Sequence, residues 1–215
     1  MIIEELILRN FGVYKGQQSF NLSPESASKP VILVGGQNGG GKTTVIDAIQ
    51  LALYGPLAKV SNRRNLGYER YLRKCIHTEV DPMEGAGVEL TLGLVSAGEE
   101  YTLQIRRSWR MNGKGLVQEF EVRRNGQLDA LLTERWPEHV ESLVPSGIAS
   151  LFFFDGERIK ALAEPKSSGK LLSTAIKSLL GLDLVDQLDG DLLVLAKRKA
   201  TSLASSVDQK EICRL

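Results

Sequence analysis

Cysteine is almost missing from this chain: two residues in 215, Cys75 and Cys213. Neither has the spacing of a metal or redox pair, which excludes a cysteine-built centre and points to a reducing compartment. Cys75-Ile76-His77 lacks the further ligands that zinc needs. Long apolar runs are missing too. No stretch approaches the roughly 20 residues that span a bilayer. The start of the chain carries Glu4 and Glu5 and no long apolar core, unlike a secretory leader. The expectation is a cytoplasmic protein with no membrane partner. Nor is there an excess of charge: 27 basic against 26 acidic side chains leave a net +1. Any polyanion must therefore be met by local patches.

What remains is the profile of a soluble globular protein, 42% hydrophobic and 25% charged. The length suits one sizeable domain, or one with an appendage. Ile2–Leu8 and Gln17–Leu22 read as strands joined by a turn near Gly12 and Gly16. After a Ser/Pro/Lys loop, Val31–Val34 is a short apolar run of the kind buried on both faces of a sheet. Thr43–Tyr54 has the apolar spacing of a helix, which Gly55-Pro56 ends. Val88–Val95, Tyr101–Trp109 and Leu116–Arg124 alternate as strands of an antiparallel meander. Ala97-Gly98 marks one turn. Asn125-Gly126 marks a hairpin leading into Gln127–Leu132. Pro137–Leu143 reads as a short helix and Leu151–Phe154 as another buried strand. The rest is helical. Val185, Leu188, Leu192 and Leu195 follow 3–4–3 spacing for about two heptads, short of a sustained coiled coil, before Lys199 and Ser202 break the seam.

Between Val34 and the helix stands Gly36-Gln37-Asn38-Gly39-Gly40-Gly41-Lys42-Thr43, a G-x-x-x-x-G-K-T motif, followed by Thr44. Its parts have mechanical reasons. Glycines let successive N–H groups curl inward toward phosphate oxygens. The helix adds its unsatisfied N–H groups and the positive end of its dipole. Lys42 supplies a point charge to the β- and γ-phosphates, and the Thr43 hydroxyl is placed to ligate Mg²⁺. Gln37, Asn38, Gly39, Gly40, Gly41 and Thr44 complete the expected nucleotide contacts. No residue pattern here reads the base, so ATP and GTP are not separated by the motif.

Leu151–Phe154 ends in Asp155. In a parallel sheet, such a strand delivers its carboxylate to the edge where a phosphate loop sits. Asp155 is therefore a candidate catalytic and metal-holding acid, and Glu157 a candidate for orienting water. A plain Asp-Gly turn and a helix-start glutamate are the alternatives.

These residues resemble a known family. Leu8-Arg9-Asn10-Phe11, the loop Gly36–Thr44, Asp47-Ala48-Ile49 and Leu53-Tyr54-Gly55 resemble the N-terminal half of SMC/Rad50-type ATPase heads. Ser150–Ile159 and Leu180-Gly181-Leu182-Asp183-Leu184-Val185 resemble, more narrowly, the DndD family, Rad50-like ATPases associated with DNA phosphorothioate modification. The resemblance covers nearly the whole chain. It implies an α/β P-loop fold over residues 1–180 with an antiparallel β lobe, and a coiled-coil root over 181–215. It also implies ATP and Mg²⁺ as ligands. The implied partners are a C-terminal half-head, a second head engaged across ATP, DNA and other sulfur-modification proteins. No LSGG-like stretch occurs and no aspartate-glutamate pair follows an apolar strand. The expectation is a portion of a longer protein whose head is completed elsewhere. The resemblance also recasts Asp155, which stands where such heads place a glutamine near Mg²⁺ and the attacking water. Hydrolysis is expected of the complete protein, with Lys42 and Asp155 as catalytic groups and Thr43 and Asp155 at the metal. The rival readings are a self-contained P-loop NTPase with Asp155 as its Walker-B acid, and a DNA-binding scaffold that holds ATP structurally.

Two basic clusters invite a DNA reading. Lys59–Lys74 contains Arg63 and Arg64, and the meander carries Arg106, Arg107, Arg110, Lys114, Arg123 and Arg124. Such side chains position a duplex through its phosphates. A solvated charged face is the equal alternative. Trp109 and Trp136 are expected to pack in the core rather than to stack on bases.

Overall fold

The computed structural model of the chain describes residues 1–26, 28–58, 60, 66–113 and 115–153, together with residue 192. Six strands build one sheet: β1 (Ile2–Phe11), β2 (Tyr14–Asn21), β3 (Ala86–Ser96), β4 (Glu99–Met111), β5 (Leu116–Arg124) and β6 (Gln127–Leu128). Their order is β2-β1-β3-β4-β5-β6, and each neighbouring pair is antiparallel. The connections follow from turn chemistry. Ala97 and Gly98 join β3 to β4 with φ of 52° and 84°, and Asn125 and Gly126 join β5 to β6 with 51° and 79°. Two successive positive φ values give the turn twist that matches a right-handed hairpin.

Alternation sets the register. Leu6 on β1 faces Leu90 on β3, Leu90 faces Ile105 on β4, and Ile105 faces Val122 on β5. All four are fully buried, forming one apolar row across four strands. A one-residue slip of any strand would turn its apolar side chains to water, at about 1.5–3 kcal/mol for each large aliphatic exposed.

Helix α1 (Lys42–Tyr54) crosses this inner face, packing on β3 and β4. It is buried nearly all round from Asp47 to Tyr54, as befits a helix enclosed by other elements. A 3₁₀ turn, Gly55–Leu57, follows it. Then come α2 (Tyr68–Cys75), α3 (Ala130–Glu134), α4 (Trp136–Leu143) and α5 (Ala149–Phe152). Trp109 Nε1 donates to Leu72 O at 2.8 Å, tying β4 to α2. Trp109 and Trp136 are both buried, so the packing expectation for the two tryptophans holds.

Three expectations are corrected. Val31–Val34 is not a buried strand: the segment runs without a ladder partner among the described residues. Val31 and Leu33 are 83% and 92% exposed. β-branched residues favour extended backbone, but a strand exists only with a neighbour, and all described pairings lie in the antiparallel sheet. Leu151 and Phe152, expected to begin a buried strand, belong instead to the short helix α5, closed by Phe153 N–H donating to Ala149 O. With no adjacent strand, the backbone is satisfied locally. Finally, β6 is only two residues long, because Asp129 caps α3: its carboxylate accepts from Leu132 N–H at 2.9 Å. Helix α2, with Tyr71, Leu72 and Cys75 inward, was not anticipated within the basic stretch. The expected coiled-coil root over 181–215 lies outside the described residues, residue 192 apart.

Candidate phosphate-binding site

Gly36–Thr44 forms a single turn that ends in the first residues of α1. Gly39 and Gly41 take φ of 82° and 93°, the region that favours glycine. Gly40 N–H donates to Gln37 O at 3.0 Å, closing the tip of the loop. Gly41 is the N-cap of α1. It offers no side-chain cap, and the first turn holds no acidic residue. The helix therefore starts with N–H groups that no side chain satisfies, at its electropositive end. Lys42 is exposed and folds back over the loop. Its Nζ donates to Gly36 O at 2.7 Å and to Gln37 O at 2.8 Å. The ammonium is thus held at the mouth of the glycine turn. This donor set, backbone amides with one cation and, among the described residues, no carboxylate cap, suits a phosphate group.

The β1–β2 turn closes one side of the loop. A Cβ on Gly12 would stand 2.8 Å from Thr44 Cγ2, so this turn is pressed against the first turn of α1. Gly12 N–H donates to Cys75 O at 2.7 Å, which brings the end of α2 to the same corner. Behind it, Asp47 is buried near Tyr71 and Cys75. Burial first, and the charge of Asp47 as a smaller cause, push the Cys75 thiol up to about 12 despite the opposing hydrogen bond from Tyr71. Cys75 is a packed, unreactive thiol.

Gly36, Gln37, Asn38, Gly39, Gly40, Gly41, Lys42, Thr43 and Thr44 run consecutively through the loop into the first turn of α1. Asp155, Glu157, Arg63 and Arg64 lie outside the described residues. The meander arginines separate. Arg106 sits on the sheet's outer face, 3.5 Å from Glu121, which also pairs with Arg123 at 3.2 Å. Arg107 turns to the opposite face, where its Nε donates to Ala52 O at 3.0 Å and its guanidinium lies 3.9 Å above the Phe120 ring. Its burial lowers its affinity for a proton to about 10. Arg107 is therefore a C-terminal cap of α1, and this placement withdraws it from the DNA-facing set. Arg110 is exposed and makes no ion pair among the described residues. Tyr14, beside the loop, carried no signal in the sequence, because its contact with Gly40 joins residues 26 positions apart.

The family model described as "AAA domain" matches residues 5–192. The DNA double-strand break repair Rad50 ATPase of Thermococcus kodakarensis (strain ATCC BAA-918 / JCM 12380 / KOD1) is 29% identical over 188 residues. That alignment covers 85% of this chain and 18% of the relative, so the chain spans less than a fifth of the protein it matches. The chain belongs to the AAA domain family.

Proposed function

We propose that this chain is the nucleotide-binding half of a Rad50-like ATPase head that acts on DNA. One observation carries the reading. The segment leading into the phosphate loop, Val31–Val34, exposes apolar side chains at alternating and adjacent positions, with Val31 and Leu33 almost fully in solvent. An apolar segment of this kind is built to be an interior strand. Its complement is the strand-bearing C-terminal half of the same head. The relative's much greater length supports this division.

In this reading the Gly39 and Gly41 amides and the N-terminus of α1 would hold the phosphates of ATP. Lys42 exchanges its two carbonyl partners for phosphate oxygens, and the Thr43 hydroxyl turns to the metal. Mg²⁺, when bound, neutralises charge on the β- and γ-phosphates. Asp155 is assigned to the same metal shell or to the attacking water. Hydrolysis belongs to the complete protein, where a second head closes the site, and nucleotide turnover drives head engagement and release on DNA. The finer assignment is to DNA phosphorothioate modification, with other sulfur-modification proteins as partners. It rests on the likeness of Ser150–Ile159 to DndD. Deleting the gene in its host tests it: the phosphorothioate linkages of the DNA should disappear, and their persistence would rule the assignment out.

Isothermal titration with Mg-ATP tests the site itself. The chain is expected to bind, and Lys42→Ala to weaken binding by about 100-fold, the loss of a charge-assisted contact to phosphate. Equal affinity in the two proteins would remove the phosphate-loop reading.

A further inference from the structure

Tyr14 is not part of the glycine motif, yet it touches the motif at two places. Its hydroxyl donates to Gly40 O at 3.3 Å. A Cβ on Gly41 would fall 2.6 Å from that same hydroxyl oxygen and 2.7 Å from Cζ of the ring. Val13 closes the third side, its Cγ2 at 2.7 Å from the same point. The ring is fixed from behind by an edge contact with Phe20, centroids 5.5 Å apart and planes at 78°. The β1–β2 turn thus presents a braced phenol directly to the backbone of the phosphate loop.

The geometry of one peptide unit gives this contact a consequence. Gly40 C=O and Gly41 N–H belong to the same peptide. None of the described peptides is cis, so the two groups point in opposite directions. Drawing the Gly40 carbonyl toward Tyr14 turns the Gly41 N–H away from the hairpin, toward the interior of the loop. Gly41 must also be glycine here, since its φ of 93° and the phenol against it leave no room for a side chain.

We infer that Tyr14 is a positioning residue of the phosphate loop. Its hydroxyl holds the Gly40–Gly41 peptide so that the Gly41 amide faces a phosphate shared by nucleoside di- and triphosphates. This rests on the nucleotide reading above. Partial burial raises the affinity of the phenol for its proton, so the hydroxyl remains a donor across the neutral range.

Tyr14→Phe keeps the ring and removes the donor. Three readouts are taken on the 215-residue chain: affinity for Mg-ATP and Mg-ADP by calorimetry, melting temperature without nucleotide, and the Gly41 amide resonance. The expected result is about three- to tenfold weaker binding of both nucleotides, the equivalent of one hydrogen bond. The melting temperature should be unchanged and the Gly41 amide displaced. Wild-type affinity in Tyr14→Phe, with Gly41 undisplaced, overturns the inference and leaves the nucleotide site standing. Weaker binding that accompanies a lowered melting temperature, with Gly41 undisplaced, also overturns it, because the hydroxyl then serves packing alone. Failure of the unaltered chain to bind either nucleotide removes the phosphate-loop reading and this inference together.

Discussion

Side chains from distant parts of the chain hold the last turn of α1. Arg107 Nε takes the Ala52 carbonyl, Trp136 Nε1 takes the Leu53 carbonyl at 2.8 Å, and Gly55 N–H takes Leu51 O. Tyr54 at the helix end donates to Val144 O at 2.9 Å. A helix leaves its final carbonyls without intrahelical partners. Here they are used to fix the back of the rod whose front carries the glycine loop. The sequence showed that both tryptophans would be buried, because large aromatics in a small core pack. It could not show which carbonyl each indole would find, since Trp136 and Leu53 lie 83 positions apart. The same corner holds a titratable group. His139 is tilted against Trp136 with ring centroids 5.7 Å apart, and its Nε2 is buried without a hydrogen-bond partner among the described residues. Burial first, then the charge of Arg124, lower its affinity for a proton, against a weaker opposing pull from Asp129. The folded state therefore keeps His139 neutral below the pH near 6.5 where the unfolded chain takes up a proton. Stability should be constant above about pH 7 and fall as pH drops through about 6.5 toward 5. Melting curves across that range should show the fall in the wild type and a flatter profile in His139→Leu. Parallel profiles for the two would show that the histidine is not the source.

Elements differ in how far their own residues determine them. The meander was legible because alternation and two turn pairs, Ala97-Gly98 and Asn125-Gly126, act within a few positions. Helix α1 was legible because glycine turn, apolar spacing and the Gly55-Pro56 stop agree. Val31–Val34 and Leu151–Phe152 were misread for a shared reason. Apolar content predicts burial in a sheet, but ladder partners come from elsewhere, and neither segment finds one among the described residues. Helix α2 was missed because its charged outer face, Arg70, Arg73 and Lys74, dominates a short window. The exposed segment yields a prediction proper to this scale. Leu33→Ser should alter the stability of the isolated chain by about 0.5 kcal/mol or less, as an exposed position does. The same change should sharply lower ATP turnover of the completed head, where Leu33 becomes interior. Urea unfolding of the chain beside turnover of the full-length protein checks both parts. A large loss of stability in the chain alone would show that Leu33 is already packed there.

Across the whole described unit, the sheet has one apolar face covered by α1 and one open face of mixed charge. On the open face the register sets Ile7, Glu89, Arg106 and Glu121 in a row, so Arg106 is flanked by carboxylates. With Arg107 turned inward, this face is balanced rather than basic. The glycine loop is exposed and follows an apolar segment that has no ladder partner among the described residues. In the proposed reading, the described residues supply the parts for holding a nucleotide but not those that would exclude water from the γ-phosphate and position an attacking one. The most direct measurement is steady-state Mg-ATP hydrolysis by the 215-residue chain, beside Lys42→Ala and Asp155→Ala. The half-head account predicts nucleotide binding by the chain with negligible turnover in all three proteins. Robust turnover by the chain alone, abolished by Asp155→Ala, would contradict it and make this a self-contained NTPase with Asp155 as its Walker-B acid.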